Sequence, residues 1–346
     1  MGGPHIIHCF CSDVIEHPAR ASLIKSLAFD PHYILSLWQS FWPWDPERLN
    51  YDLLFDSLKV LQNLQHLSFD NYRRYYSALD EYSEFASITF PHLRRLAIGI
   101  PESKSGRSTI AQLFSRHPRL THVCLWPNHE PFEKWDFNVP YLLPNLRHYE
   151  GYNMAPLDAC CARTLQAARI PIPSWLTAST VPIWETLHSR TNKKLPFTLS
   201  IDLDLLNDDA MRSMLTSLSG EMPHIQCLQL RTCEDKIQIT AVQALAELLE
   251  HFGRMEYFEL TYNYYYEQDV KLCRQAVDIV AETCPTLREC CIGNQAWKTV
   301  NAQWVEYGRV AFEIDSGLSD FQGPRRRRYK SHSMAPTSQF WQSGAI

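Results

Sequence analysis

Phe90-Pro-His-Leu-Arg-Arg-Leu-Ala-Ile98 is a nine-residue frame with an apolar residue first, proline second, and apolar residues at the fourth, seventh and ninth places. The frame recurs at His117-Pro-Arg-Leu-Thr-His-Val-Cys-Leu125 and Leu143-Pro-Asn-Leu-Arg-His-Tyr-Glu-Gly151. It returns at Met222-Pro-His-Ile-Gln-Cys-Leu-Gln-Leu230 and Cys284-Pro-Thr-Leu-Arg-Glu-Cys-Cys-Ile292. Two copies lack the proline: Leu61-Gln-Asn-Leu-Gln-His-Leu-Ser-Phe69 and Phe252-Gly-Arg-Met-Glu-Tyr-Phe-Glu-Leu260. The seventh place falls at Leu67, Leu96, Val123, Tyr149, Leu228, Phe258 and Cys290, in steps of 29, 27, 26, 79, 30 and 32 residues. The long step is close to three units, and a repeat of this length is the signature of a stacked array.

The end of the frame alternates apolar and polar, which predicts a short strand with one face in the core. The proline cannot continue a helix, so it separates a preceding helix from the strand. Helical candidates are 109–117, 208–219, 241–252 and 270–284. Strand, helix and parallel strand form a right-handed crossover. Repetition of that unit predicts an α/β leucine-rich-repeat solenoid of about nine or ten units, with parallel strands on the concave face and helices on the convex face.

The expected organisation is a fraying segment over 1–16, one solenoid with end caps over 17–310, and a disordered basic tail over 311–346. Ile24–Phe29 reads as a degenerate first strand, and 46–60 as a helix. The cluster Trp38, Trp42 and Trp44 is expected to cover the N-terminal end, and Trp297, Trp304 and Tyr307 the C-terminal end. Residues 152–196 lose the frame, with Pro171, Pro173 and Pro182 expected to break regular structure. Phe197–Ile201 reads as the next strand.

At 346 residues and 45% apolar composition, the chain can bury a continuous core. The net charge of −5 argues against general nucleic-acid binding. No apolar run approaches the length of a membrane span, so neither a nucleic acid nor a membrane is expected as partner. Eleven cysteines are an odd number without a secretory pattern, and several fall on strand places. They are expected to be reduced thiols of a cytoplasmic or nuclear protein. Arg325–Lys330 reads either as a nuclear-import signal or as a solvated basic tail.

No phosphate loop, nucleophile elbow or metalloprotease helix is present, and with 12 glycines nucleotide cradles have little support. His5, His8, Cys9, Cys11 and His17 are metal ligands by type but lack a second spaced pair. No enzyme, cofactor or metal is therefore expected. Asp208 is expected as a helix N-cap.

The expected function lies on the surface. Residues flanking the seventh place point to the concave wall: His66, Arg95, His122 and His148 in the first half, and Tyr257, Glu259 and Glu289 in the second. This is a ladder that turns from basic to acidic, with histidines that would make binding pH-sensitive. The strand-exit loops carry Tyr72, Arg73, Arg74, Tyr75, Tyr76, Trp126, Tyr262, Tyr264, Tyr265 and Tyr266. These residue types are common at interface hot spots, so one rim is expected to bind a protein partner.

The Pro-x-Leu-x-x-Leu frame, the opening from His17 to Leu27 and the closing Trp297 and Trp304 resemble the leucine-rich-repeat region of fungal F-box-type proteins, particularly the basidiomycete sets. The resemblance covers 15–310. It implies a non-enzymatic, substrate-recruiting protein surface of a cullin ubiquitin ligase. The residues before the first repeat are too few for an F-box, so the resemblance extends to the repeat surface only. A cullin-ligase adaptor would be a partner if an F-box precedes the chain. The alternative is a scaffold with no ubiquitin role, and a third reading is a GTPase regulator or enzyme acting through the rim.

Overall fold

The structure is a computed structural model. It describes residues 4–29, 51–69, 83–99, 104–126, 142–151, 154–158, 164–172, 180–203, 208–232, 236–262, 269–293, 295–309, 311–312 and 326–327. The described residues divide into two compact units, one ending at Thr164 and one beginning at Leu165. The repeats expected as one array fall into both.

The first unit holds five parallel strands: β1 (Ser26–Phe29), β2 (His66–Phe69), β3 (Arg95–Gly99), β4 (His122–Trp126) and β5 (His148–Glu150). They lie side by side in chain order. The register aligns the seventh place of each copy, Leu27 to Leu67 to Leu96 to Val123 to Tyr149. All five are at most 3% exposed, so this row is core. The helices are α1 (Pro4–Glu16), α2 (Pro18–Ala21), α3 (Tyr51–Val60), α4 (Ser83–Ser87), α5 (Lys104–Arg116) and α6 (Ala155–Asp158). Helix α1 corrects the expectation that 1–16 frays. Ile7, Cys11 and Val14 recur at helical spacing and are buried, and α1 packs on α3.

The proline has a more specific role than stopping a helix. In every copy the carbonyl of the first place accepts the N–H of the fourth. The pairs are Leu61–Leu64, Phe90–Leu93, His117–Leu120, Leu143–Leu146, Met222–Ile225, Phe252–Met255 and Cys284–Leu287, at 3.0–3.3 Å. This is a β-turn, and proline fits its second place because its fixed φ matches that position. The carbonyl before the strand then accepts two N–H groups of the next copy. Lys25 takes Gln65 and His66, Gln65 takes Arg94 and Arg95, and Arg94 takes Thr121 and His122. These shared acceptors lock consecutive copies in register.

The second unit repeats the plan with β6 (Ala167–Ile172), β7 (Thr198–Leu203), β8 (Cys227–Thr232), β9 (Tyr257–Thr261) and β10 (Glu289–Ile292), all parallel. Its helices are α7 (Val181–Arg190), α8 (Asp208–Glu221), α9 (Ile239–Leu249) and α10 (Val270–Thr283), each packed on the next. Asp269 caps α10 through Lys271 N–H at 2.8 Å. The expectation that Pro171 and Pro182 break regular structure is corrected. Pro171 lies inside β6 opposite Asp202, and Pro182 occupies the first turn of α7, where its missing N–H costs nothing.

The C-terminal cover of β10 is an antiparallel hairpin, β11 (Gln295–Val300) and β12 (Gln303–Arg309). Trp297 is buried in it, and Tyr307 packs over Cys291 and Ala296. Within the segment expected as a tail, Arg326–Arg327 pairs antiparallel with Ala311–Phe312. Trp38, Trp42 and Trp44 lie outside the described residues.

Candidate binding face

In a strand, residues two apart share a face, so the non-core face of the first sheet carries Ser26, His66, Arg95, His122 and His148 as one row. The register pairs each with the next, from Ser26–His66 through His122–His148. The expected ladder is therefore brought together. The rings of His122 and His148 stack with centroids 4.0 Å apart and planes 5° from parallel. Thr121 Oγ1 lies 2.8 Å from His122 Nδ1 and fixes the ring.

These histidines are held neutral. Burial first, then the charges of Arg95 and Arg94, lowers His66 to about 4. Burial, then Arg95 and Arg147, lowers His148 to about 4. His122 is pushed to about 2 by burial, with His148, Arg95 and His66 adding to it. At neutral pH the row is one guanidinium among uncharged imidazoles, with His122 Nδ1 engaged by Thr121 and the facing sides of His122 and His148 stacked on each other. Burial also lowers the Arg95 value.

The next row, two residues along, differs from the expected solvated wall. Ser68, Ala97 and Cys124 are at most 5% exposed, and so are Ser200, Gln229 and Cys291 in the second unit. Glu259, expected as an acidic contact, is 1% exposed. It accepts Tyr257 Oη at 2.5 Å and Gln229 Nε2 at 2.9 Å on the same oxygen. Its charge is used inside the sheet, because a buried carboxylate needs such donors. Glu289 is partly buried and accepts Tyr307 Oη at 3.4 Å. Of the expected concave residues, the first-unit row, Tyr257 and Glu289 retain surface.

The strand face of the second unit also carries a charged group that the repeat frame did not reveal. Arg169 Nε donates to Asp202 Oδ2 at 2.9 Å, and its Nη2 lies 2.8 Å from the same oxygen. Arg231 Nε stands 3.9 Å from Asp202 Oδ1. Asp202 and Arg231 are exact register partners on β7 and β8. The signal was present: both continue the outward alternation one place beyond the ninth-place apolar residue. Arg169 escaped because β6 does not match the frame.

The rim fares differently. Tyr72, Arg73, Arg74, Tyr75, Tyr76, Tyr264, Tyr265 and Tyr266 lie outside the described residues. Trp126 is the last residue of β4. Tyr262 is 4% exposed, so it belongs to the core and not to a contact rim.

Cys9, Cys11, Cys124, Cys227, Cys273, Cys284, Cys290 and Cys291 form no disulfide with one another. Burial raises Cys11, Cys284 and Cys290 and pushes Cys273 up to about 12, which makes them packing residues and poor nucleophiles. Among the described residues, no three His, Cys, Asp or Glu side chains converge as a metal site, and no helix is long and apolar enough to cross a membrane. No protein-family model and no curated protein matches this chain.

Proposed function

We propose that each unit is a stretch of leucine-rich-repeat solenoid and that its strand face is a non-enzymatic protein-binding surface, related to the substrate-recruiting repeats of F-box-type proteins. The observation that carries this is the row His66, Arg95, His122 and His148. Identical backbone units place one non-identical polar side chain per strand at fixed spacing. Such a surface can follow an extended segment of a partner residue by residue. The buried cysteines support a binding role over nucleophilic chemistry. A scaffold with no ubiquitin role uses the same face, and whether cullin-ligase subunits are captured separates the two.

The test is affinity purification of the tagged full-length chain from its own cells with mass spectrometry, beside the variant Arg95→Ala/His148→Ala. Both proteins are first matched by circular dichroism. Cullin-ligase subunits, together with further partners lost in the variant, support the ligase reading. Other partners lost in the variant support the scaffold reading. Partners retained unchanged by the variant overturn the face.

A further inference from the structure

The face of β6, β7 and β8 holds three buried polar atoms with no hydrogen-bond partner among the described residues: Ser200 Oγ, Asp202 Oδ1 and Arg231 Nε. They are neighbours. Ser200 and Asp202 are two apart on β7, and Arg231 is the register partner of Asp202 on β8. The Arg231 side chain is only 13% exposed, yet the ion-pair contact it makes among the described residues is the 3.9 Å approach to Asp202. The Nε–H of this charged group is buried with no acceptor in hydrogen-bond range among the described residues, which is costly. A native structure keeps such a group for a reason.

The local carboxylates are already used. Asp202 Oδ2 is held by Arg169, and Glu259 by Tyr257 and Gln229. Arg231, by contrast, has no carboxylate within hydrogen-bond distance among the described residues. A carboxylate is a planar acceptor that meets a guanidinium fork with two parallel bonds, which a point-charge anion does not.

We propose that Arg231, with Ser200 beside it and Arg169 behind Asp202, binds the carboxylate of an acidic peptide segment in the partner. This rests on the protein-binding reading above and supplies the chemistry of what is bound. Arg231 donates to the carboxylate, the Ser200 hydroxyl donates to its second oxygen, and Asp202 sets the angle of both arginines.

The experiment is a titration of the 15N-labelled full-length chain with acetyl-Glu-Glu-Glu-amide, followed at the arginine Nε–Hε resonances, with the Arg231 peak assigned by its loss in Arg231→Gln. The expected result is a saturable shift of the Arg231 peak that is absent with acetyl-Gln-Gln-Gln-amide. Following backbone amide shifts, Ser200→Ala weakens the affinity severalfold and Arg231→Gln weakens it about tenfold or more. Asp202→Asn releases Arg169 and tightens binding, a gain that a purely structural role for Asp202 would not give. No saturable shift, or equal shifts with the Glu and Gln peptides, overturns the proposal. Inorganic phosphate binding as tightly as the Glu peptide overturns it in favour of a simple anion pocket. If this titration fails while partner capture still depends on Arg95 and His148, only the acidic-peptide assignment falls. If capture fails while the titration succeeds, the protein-binding reading falls and the carboxylate pocket stands.

Discussion

His117 Nε2 accepts the Phe90 N–H at 2.9 Å, while its Nδ1 lies 2.6 Å from the Leu113 carbonyl. The two residues hold the same first place in consecutive copies of the frame. One imidazole therefore satisfies a turn N–H of one repeat and the C-terminal end of α5 in the next. This fixes the neutral tautomer with the proton on Nδ1. Burial first, then Arg116, lowers the His117 value, against the raising effect of the Leu113 carbonyl. His117→Leu restores the apolar residue other copies use but strands the Phe90 N–H. It is expected to cost about 1–3 kcal/mol in urea unfolding, the penalty for an orphaned buried donor. A loss under half a kcal/mol would show that the bridge contributes little.

The histidine row makes stability depend on pH with a definite sign. His66, His122 and His148 have folded values below the ordinary 6.5. Below that value the unfolded chain takes up protons that the folded chain refuses, so stability falls as pH drops from about 6.5 towards 4. Above it these groups contribute no slope. Each histidine adds at most about 1.4 kcal/mol per pH unit within the window, less where solvent reaches it. Urea midpoints at pH 7, 6 and 5 measure the slope, and His122→Gln/His148→Gln should flatten it. A stability that rises on acidification would contradict the burial of this row.

Gly253 occupies the turn place where five copies have proline. A Cβ there meets nothing within 4 Å. Its N–H donates to no backbone carbonyl among the described residues. Gly253→Pro is expected to stabilise by about 0.4–1 kcal/mol by restricting the unfolded chain. Gln62, the other non-proline copy, donates its N–H to Val60 at 3.0 Å. Gln62→Pro should therefore destabilise. Opposite signs in thermal melts of the two variants check the turn assignment.

Gly151 has φ +140°, and a Cβ there would lie 2.8 Å from the Leu125 carbonyl oxygen and 3.1 Å from Tyr149 Oη. The obstruction at Leu125 is backbone, which cannot move aside cheaply. Gly151→Ala combines conformational strain with that clash and should cost about 1–3 kcal/mol, read as a lowered melting temperature.

The β11–β12 turn is Asn301-Ala302, with φ 51° and 62°. Both central residues of a two-residue hairpin turn of this kind need positive φ, which asparagine tolerates and alanine does not. Ala302→Gly should raise stability by roughly 1 kcal/mol, measured in the same melts. No gain would mean that the hairpin already frays at its tip.

The repeat frame announced much of this chain. Leu64, Leu93, Leu120 and Leu146 are at most 1% exposed, as their fourth place demands. Apolar side chains at fixed spacing have one way to be buried together, and a strand of period two leaves the alternate residues for the other face. The order of His66, Arg95, His122 and His148 follows from that periodicity alone, because parallel neighbours one unit apart must align like with like.

The amino-acid sequence by itself determined the repeating strand, the turn proline and the identity of the outward row. The tertiary structure decided what each outward residue does. Glu259 and Cys124 occupy outward places as His66 does, yet they are sealed, because burial depends on what lies across the face and no periodicity encodes that. The stack of His122 on His148, the bridge from His117 to Phe90, and the meeting of Arg169, Asp202 and Arg231 join residues 26, 27, 33 and 29 positions apart. Such partnerships are set by side-chain rotamers and neighbouring strands. A local reading fixes the face a residue points to; which group answers it across that face is settled only when the strands lie side by side.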